Sequence, residues 1–202
     1  MAVFFYIGDK MMMNYIRWID GLSKALGHTF GWCVVILTLS TCYEVFRRYV
    51  LNNPTDWAFD MSYMFYGALF MMAGPYTLSK AAHVRGDFLY RTWKPQTQAK
   101  VDLVLYFIFY FPGILAMAFT GGAYAINAMQ IGESSVNSPV GVPVWPLKMI
   151  ILMAGISLFL AGTAEVCRCL VCIKTGEWPT RDHDVKELEE VLIEKFGNKE
   201  SS

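Results

Sequence analysis

Charged residues disappear from this chain in long blocks. Ala25 to Tyr43, Met61 to Ser79 and Leu103 to Gly132 contain none, and Met149 to Ala164 forms a shorter uncharged core that Val144 to Leu147 and Val166 extend. A helix rises about 1.5 Å per residue and the hydrocarbon core of a bilayer is about 30 Å thick, so roughly 20 such residues suffice to cross. The pattern predicts four spans, at residues 25–46, 57–79, 101–130 and 144–173. The stretches between them are too short for a soluble domain, and backbone groups in lipid must be paired within their own segment, so helices are expected rather than strands. The expected fold is an all-α integral membrane protein: one membrane domain over residues 1–202, built as a bundle of four transmembrane helices.

Shorter patterns flank the spans. Ile16, Ile19, Leu22 and Leu26 recur at helical spacing beside Trp18, with Arg17, Asp20 and Lys24 opposite, which predicts an interfacial amphipathic helix over residues 10–24. The short apolar run Ala2 to Ile7 lacks a basic start and ends at Asp9-Lys10, so it reads as an uncleaved extension, and Met11-Met12-Met13 offers alternative starts. In the tail, residues 180–202, Asp184 and Glu187 form an N-cap pattern ahead of Val185, Leu188, Leu192 and Phe196, with Gly197 as a stop. This short amphipathic helix would dock either on the bundle itself or on a partner subunit. Within the spans, Gly67, Gly74, Gly113, Gly121 and Gly122 are expected to permit close helix packing, and Pro75 and Pro112 to kink their helices.

Composition agrees with a membrane setting: 55% of residues are hydrophobic and 17% charged. Lys plus Arg and Asp plus Glu are both 17, which leaves no basic excess to advertise a nucleic-acid surface. Basic residues crowd one side of the predicted topology. Lys10, Arg17 and Lys24 precede the first span; Lys80, Arg85, Arg91, Lys94 and Lys100 separate the second from the third; Arg168, Lys174, Arg181, Lys186, Lys195 and Lys199 close the chain. The other side holds Arg47, Arg48 and Lys148. Both termini are therefore expected in the cytoplasm.

Ionisable groups at membrane depth are costly and invite functional suspicion. Glu44 precedes Arg47 and Arg48 by three and four residues, and Glu165 precedes Arg168 by three, so local pairing is favoured over transport for both. Asp60 has no such cation; a solvated first-turn residue complementing the helix dipole and a functional carboxylate both remain open. At about 100° per residue Cys169 and Cys172 share a helix face while Cys167 points elsewhere, which disfavours a metal site. His28 is the one histidine at membrane depth, poor support for a haem held by two axial ligands. No phosphate loop, nucleophile elbow or paired zinc motif occurs, so no catalytic, cofactor-binding or metal residue is predicted. Two loops look specific: Lys80 to Asp87 packs a histidine, cations and a carboxylate together, and Ser134 to Lys148 carries Pro139, Pro143, Pro146 and Trp145. Trp145 serves either as an interfacial anchor or in docking.

In order along the chain stand Glu44, Arg47 and Arg48, then Trp57 and Asp60, then His83-Val84-Arg85 with Asp87, then Ser138, Pro143, Trp145 and Pro146. With these the sequence resembles the small membrane subunit, DctQ type, of tripartite ATP-independent periplasmic (TRAP) transporters. Gly86 stands where that family commonly has an apolar residue, and Asp60 where it commonly has Glu. The resemblance implies a non-catalytic subunit of a sodium-driven importer of organic anions, carboxylates or sulfonates, in the bacterial inner membrane. Its partners would be a large polytopic subunit that carries substrate and sodium, and a periplasmic substrate-binding protein. It also implies structural or docking roles for Glu44, Arg47, Trp57, Asp60, Pro143 and Trp145, while His83 or Arg85 paired with Asp87 would clamp the second loop. The alternatives are a membrane anchor of a redox complex and a stand-alone small exporter.

Overall fold

A computed structural model describes residues 2–80, 90 and 92–179, with side chains from residue 10 onward. Among these residues the protein consists of four long helices: α1 (Ala2–Tyr49), α2 (Ala58–Ser79), α3 (Pro95–Gln130) and α4 (Trp145–Thr175). Lys10–Tyr49, Pro95–Gln130 and Trp145–Thr175 are long and apolar enough to cross a membrane. α2, 22 residues long, does not join them: Asp60 in its first turn and Tyr63, Tyr66, Tyr76 and Pro75 dilute its apolar character.

The side chains are arranged inside out relative to a soluble bundle. Buried positions belong largely to small residues, among them Ala68, Ala125, Ala128, Ala154, Ala161 and Ala164, whereas Trp32, Leu39, Phe70, Phe109 and Phe119 face outward. Lipid tails are as apolar as leucine, so helices in a bilayer associate through close packing rather than by hiding large side chains. α4 packs against all three other helices, and α1 pairs with α2. Of the glycines read as packing positions, Gly67 and Gly74 face Leu147 and Leu158, while Gly121 and Gly122 face Ile151 and Leu152. Gly113 is the exception, with nothing within 4 Å of the place a Cβ would take.

The predicted boundary between an interfacial helix and the first span is not a break in the backbone, since α1 runs unbroken through Lys24 and Ala25. Both halves are good helix formers, and no proline or cap intervenes to stop propagation. The stripe of residues 10–24 finds its partner within the chain: Ile16 and Ile19 bury against Ala164 of α4, and the Tyr15 and Thr163 hydroxyls share a 2.9 Å hydrogen bond.

α3 contains one π-helical turn, Tyr106–Tyr110, in which the Phe111 N–H donates to the Tyr106 carbonyl. The extra residue widens the helix just ahead of Pro112, whose ring otherwise crowds the preceding turn and whose missing N–H leaves a carbonyl unpaired. It also turns Tyr110 toward α4, where its hydroxyl donates to the Leu158 carbonyl at 2.8 Å and its ring lies over Gly162. α4 ends at Gly176, which adopts φ +84°. Beyond it the Trp178 indole N–H donates to Gln98 Oε1 at 3.1 Å, closing α4 onto α3.

Because the Tyr110 ring occupies the space beside Gly162, Gly162→Val should destabilise the purified protein by about 1–3 kcal/mol. Gly113→Ala, in open space on a helix, should be neutral or slightly stabilising. Thermal unfolding in detergent of both variants beside the parent checks the pair, and equal losses would refute this packing.

Candidate functional site

At one end of the bundle the α1–α2 turn meets the α3–α4 loop, and most of the residues predicted to matter gather there. Glu44, in the last turns of α1, accepts hydrogen bonds from Arg48 Nη2 at 2.7 Å, from the Thr55 backbone N–H at 3.0 Å, and from the Thr55 hydroxyl. Arg47 turns the other way: its Nε donates to the Asn53 carbonyl at 3.1 Å while the Asn53 N–H donates to the Arg47 carbonyl at 3.0 Å. Trp57 stacks on Tyr43 with ring centroids 6.3 Å apart. The expected pairing of Glu44 along its own helix is present. Its hold on Thr55, which pins the turn, is a tertiary feature outside any helical spacing rule.

Asp60 departs from the solvated alternative. It is 0% exposed, and its carboxylate accepts from Ser135 Oγ at 2.6 Å and from Ser138 Oγ. A buried carboxylate needs donors to offset its lost hydration, and two hydroxyls supply them beside the positive end of α2. Both serines belong to a hairpin-like loop. The Ser135 N–H donates to the Val142 carbonyl at 2.7 Å, the Val144 N–H to the Glu133 carbonyl at 2.9 Å, and Ser134 bridges Pro143. At the tip Pro139 and Val140 lie between Ser138 and Gly141, with Gly141 at φ +66° and its N–H donating to the Ser138 carbonyl at 3.3 Å. Proline pre-sets the turn and glycine accepts the left-handed backbone without strain. Val136, 96% exposed, projects from this loop together with Val140.

The loop is closed at its base by Lys148. This residue is 5% exposed, with Nζ 2.5 Å from Glu133 Oε2 and 3.7 Å from the centroid of the Tyr124 ring. A carboxylate and a π-face together compensate its desolvation. Pro143 is exposed, and Trp145 opens α4 half-buried.

The opposite end holds a second network. Arg168, 2% exposed, is held by Glu165 on its own helix and by Asp20 of α1. Asp20 was legible only as part of a polar stripe, because its partner lies 148 residues away. Cys169 and Cys172 bury together against Ala99 while Cys167 packs with the Ile16 and Ile19 cluster, the division that helical geometry predicts. His28 donates from Nδ1 to the Lys24 carbonyl at 2.9 Å and meets the Tyr76 ring edge-on. His83, Arg85 and Asp87, and the tail helix within 180–202, lie outside the described residues.

Residues 37–172 match the family described as "Tripartite ATP-independent periplasmic transporters, DctQ component". The chain belongs to the DctQ family. It is thus the small membrane subunit of a TRAP transporter, a class in which this component works beside a large membrane subunit and a binding protein. A comparison with curated proteins finds no match. The matched stretch of this DctQ subunit contains the Glu44 clamp, Asp60, the hairpin and Arg168, whereas Asp20 lies ahead of it. Sequence reasoning passed over Thr55 and Ser135 as partners. The available signal was a lone carboxylate at a helix start, without a cation, in a chain whose polar loop supplies serines three residues apart.

Replacing Ser135 and Ser138 together by Ala leaves Asp60 buried without its donors and should cost about 2–4 kcal/mol, concentrated in the loop. Hydrogen exchange at Ser135 and Val144 is expected to quicken while α4 interior amides stay protected. Unchanged exchange in the loop would show that Asp60 does not hold it. At the other end, Arg168→Gln removes the cation that joins Asp20 of α1 to Glu165 of α4 and should destabilise the fold by about 3–5 kcal/mol, read as a lower unfolding temperature.

Proposed function

We propose that this subunit is the non-catalytic scaffold of a sodium-coupled, binding-protein-dependent importer of organic anions, carboxylates or sulfonates, in the bacterial inner membrane. All four helices cross, both termini are cytoplasmic, and residues 10–24 lie at the cytoplasmic interface. Membership of the DctQ family supports the assembly, and the crowding of basic residues at the Lys24 and Lys80 end supports the orientation. Residues such as Trp32, Phe109 and Phe119, exposed along charge-free stretches of helix, meet lipid or the large subunit.

The observation that carries the docking role is the hairpin tied to α2 through Asp60. A loop whose backbone is paired internally and whose serines are anchored on a buried carboxylate holds Val136 and Val140 in fixed positions outside the bundle. Preorganised loops lose little entropy on association, so such a tip suits the repeated capture and release of a periplasmic protein. Glu44, Arg47 and Trp57 stiffen the neighbouring turn, Pro143 and Trp145 fix the entry to α4, and in this reading the His83, Arg85 and Asp87 string clamps the cytoplasmic loop.

A C-terminal tag on the subunit, with gentle solubilisation, should recover one larger polytopic protein in stoichiometric amount. With that partner and its binding protein reconstituted in liposomes, Val136→Asp combined with Val140→Asp should lower sodium-dependent uptake about tenfold, the effect of roughly 1.4 kcal/mol lost from one contact. Recovery of the two membrane subunits should be unaffected. Unaltered uptake by the double variant would remove the docking role, and recovery of the chain alone would remove the scaffold.

A further inference from the structure

The C-terminal end of α2 lies beside the early turns of α1, and between them sits a cavity of about 230 Å³ lined by Arg17, Asp20, Gly21, Lys24, Ser79 and Lys80. Arg17, Gly21 and Lys24 fall on one face of α1, since they are four and three residues apart. Gly21 contributes no side chain, and nothing lies within 4 Å of the place its Cβ would take, so the space between the two cations stays open. Arg17 and Lys24 are exposed and neither forms an ion pair among the described residues. The one carboxylate among the described lining residues, Asp20, is engaged through Oδ2 by Arg168. The cavity therefore gathers three cations around a carboxylate already held by a fourth, and such a cluster concentrates positive potential.

Its depth follows from the charge pattern. Lys24 is the last charge before the uncharged run that begins at Ala25, and Ser79 is the last residue of the uncharged run that begins at Met61. The cavity thus lies where both helices leave the apolar layer. Trp18, 63% exposed, stands next to Arg17 in sequence, and tryptophan is the residue enriched at the headgroup level. The anion present at that level in a bilayer is a phospholipid phosphodiester.

We propose that this cavity binds the phosphodiester of an anionic phospholipid, held by charge-assisted hydrogen bonds from Arg17, Lys24 and Lys80. The bound lipid bridges α1 to the end of α2, adding to the contact that Tyr76 already makes with His28. The inference goes beyond the transporter role and depends neither on the substrate nor on docking by a binding protein. It requires only that this end of α1 lie at the membrane surface.

Native mass spectrometry of the delipidated full-length protein in mild detergent, titrated with phosphatidylglycerol, phosphatidylethanolamine or inorganic phosphate, tests it. The parent should retain phosphatidylglycerol at least about tenfold better than phosphatidylethanolamine. The combination Arg17→Gln, Lys24→Gln and Lys80→Gln should abolish that preference, whereas Lys100→Gln, an exposed cation early in α3, should keep it. Equal retention of the two lipids by the parent overturns the proposal without recourse to any variant. So does a triple variant that keeps the preference. Displacement of phosphatidylglycerol by an equimolar amount of inorganic phosphate would assign the cavity to a free anion and overturn the lipid as its occupant.

Discussion

The close approach of the other helices to α4 is the constraint on which the remaining structure depends. In lipid there is little to gain from hiding large apolar side chains, so helices that associate must do so through surfaces flat enough for many small contacts. α4 meets this with Ala154, Gly155, Ala161, Gly162 and Ala164. Gly155 comes so near Ala118 that a Cβ there would lie 3.2 Å from its Cα. The π-helical turn in α3 belongs to the same constraint: it accommodates Pro112 and at the same time seats Tyr110 over Gly162 with its hydroxyl on the α4 backbone.

Small-residue contacts of this kind hold helices together but fix register weakly, because one alanine resembles another. Register here is set by polar groups near the helix ends. Arg168 with Asp20 and Glu165, Lys148 with Glu133 and Tyr124, and Asp60 with Ser135 and Ser138 each join separate segments through buried or half-buried charge. Such groups add modest net stability, yet breaking one leaves an uncompensated charge, which makes a slipped packing costly. The result is a bundle whose hydrogen-bonded loop lies at one end and whose cationic cavity lies at the other.

Much of the fold was legible because its signals are local. Charge-free runs mark the helices, the spacing of Glu44 to Arg48 and of Glu165 to Arg168 forecast their pairing, and 100° per residue separated Cys167 from Cys169 and Cys172. The candidate site was legible in its members but not in its wiring. Asp60 stood out as a carboxylate without an intrahelical cation, but its serines are 75 and 78 residues away and no periodicity points to them. Gly113 shows the same boundary from the other side, since a glycine in a span permits close packing without requiring it.

What the sequence determined by itself was the membrane setting, the helices and the family motifs, because burial in lipid and helical pairing act over a few neighbouring residues. What only the tertiary structure decided was which faces meet: that residues 10–24 continue α1 and lean on α4, that Asp60 is buried beneath a hairpin, and that three cations surround one cavity. Those outcomes depend on contacts between segments far apart in the chain. They are selected by shape and by the cost of unpaired charge, and neither is written in the spacing of residues along one helix.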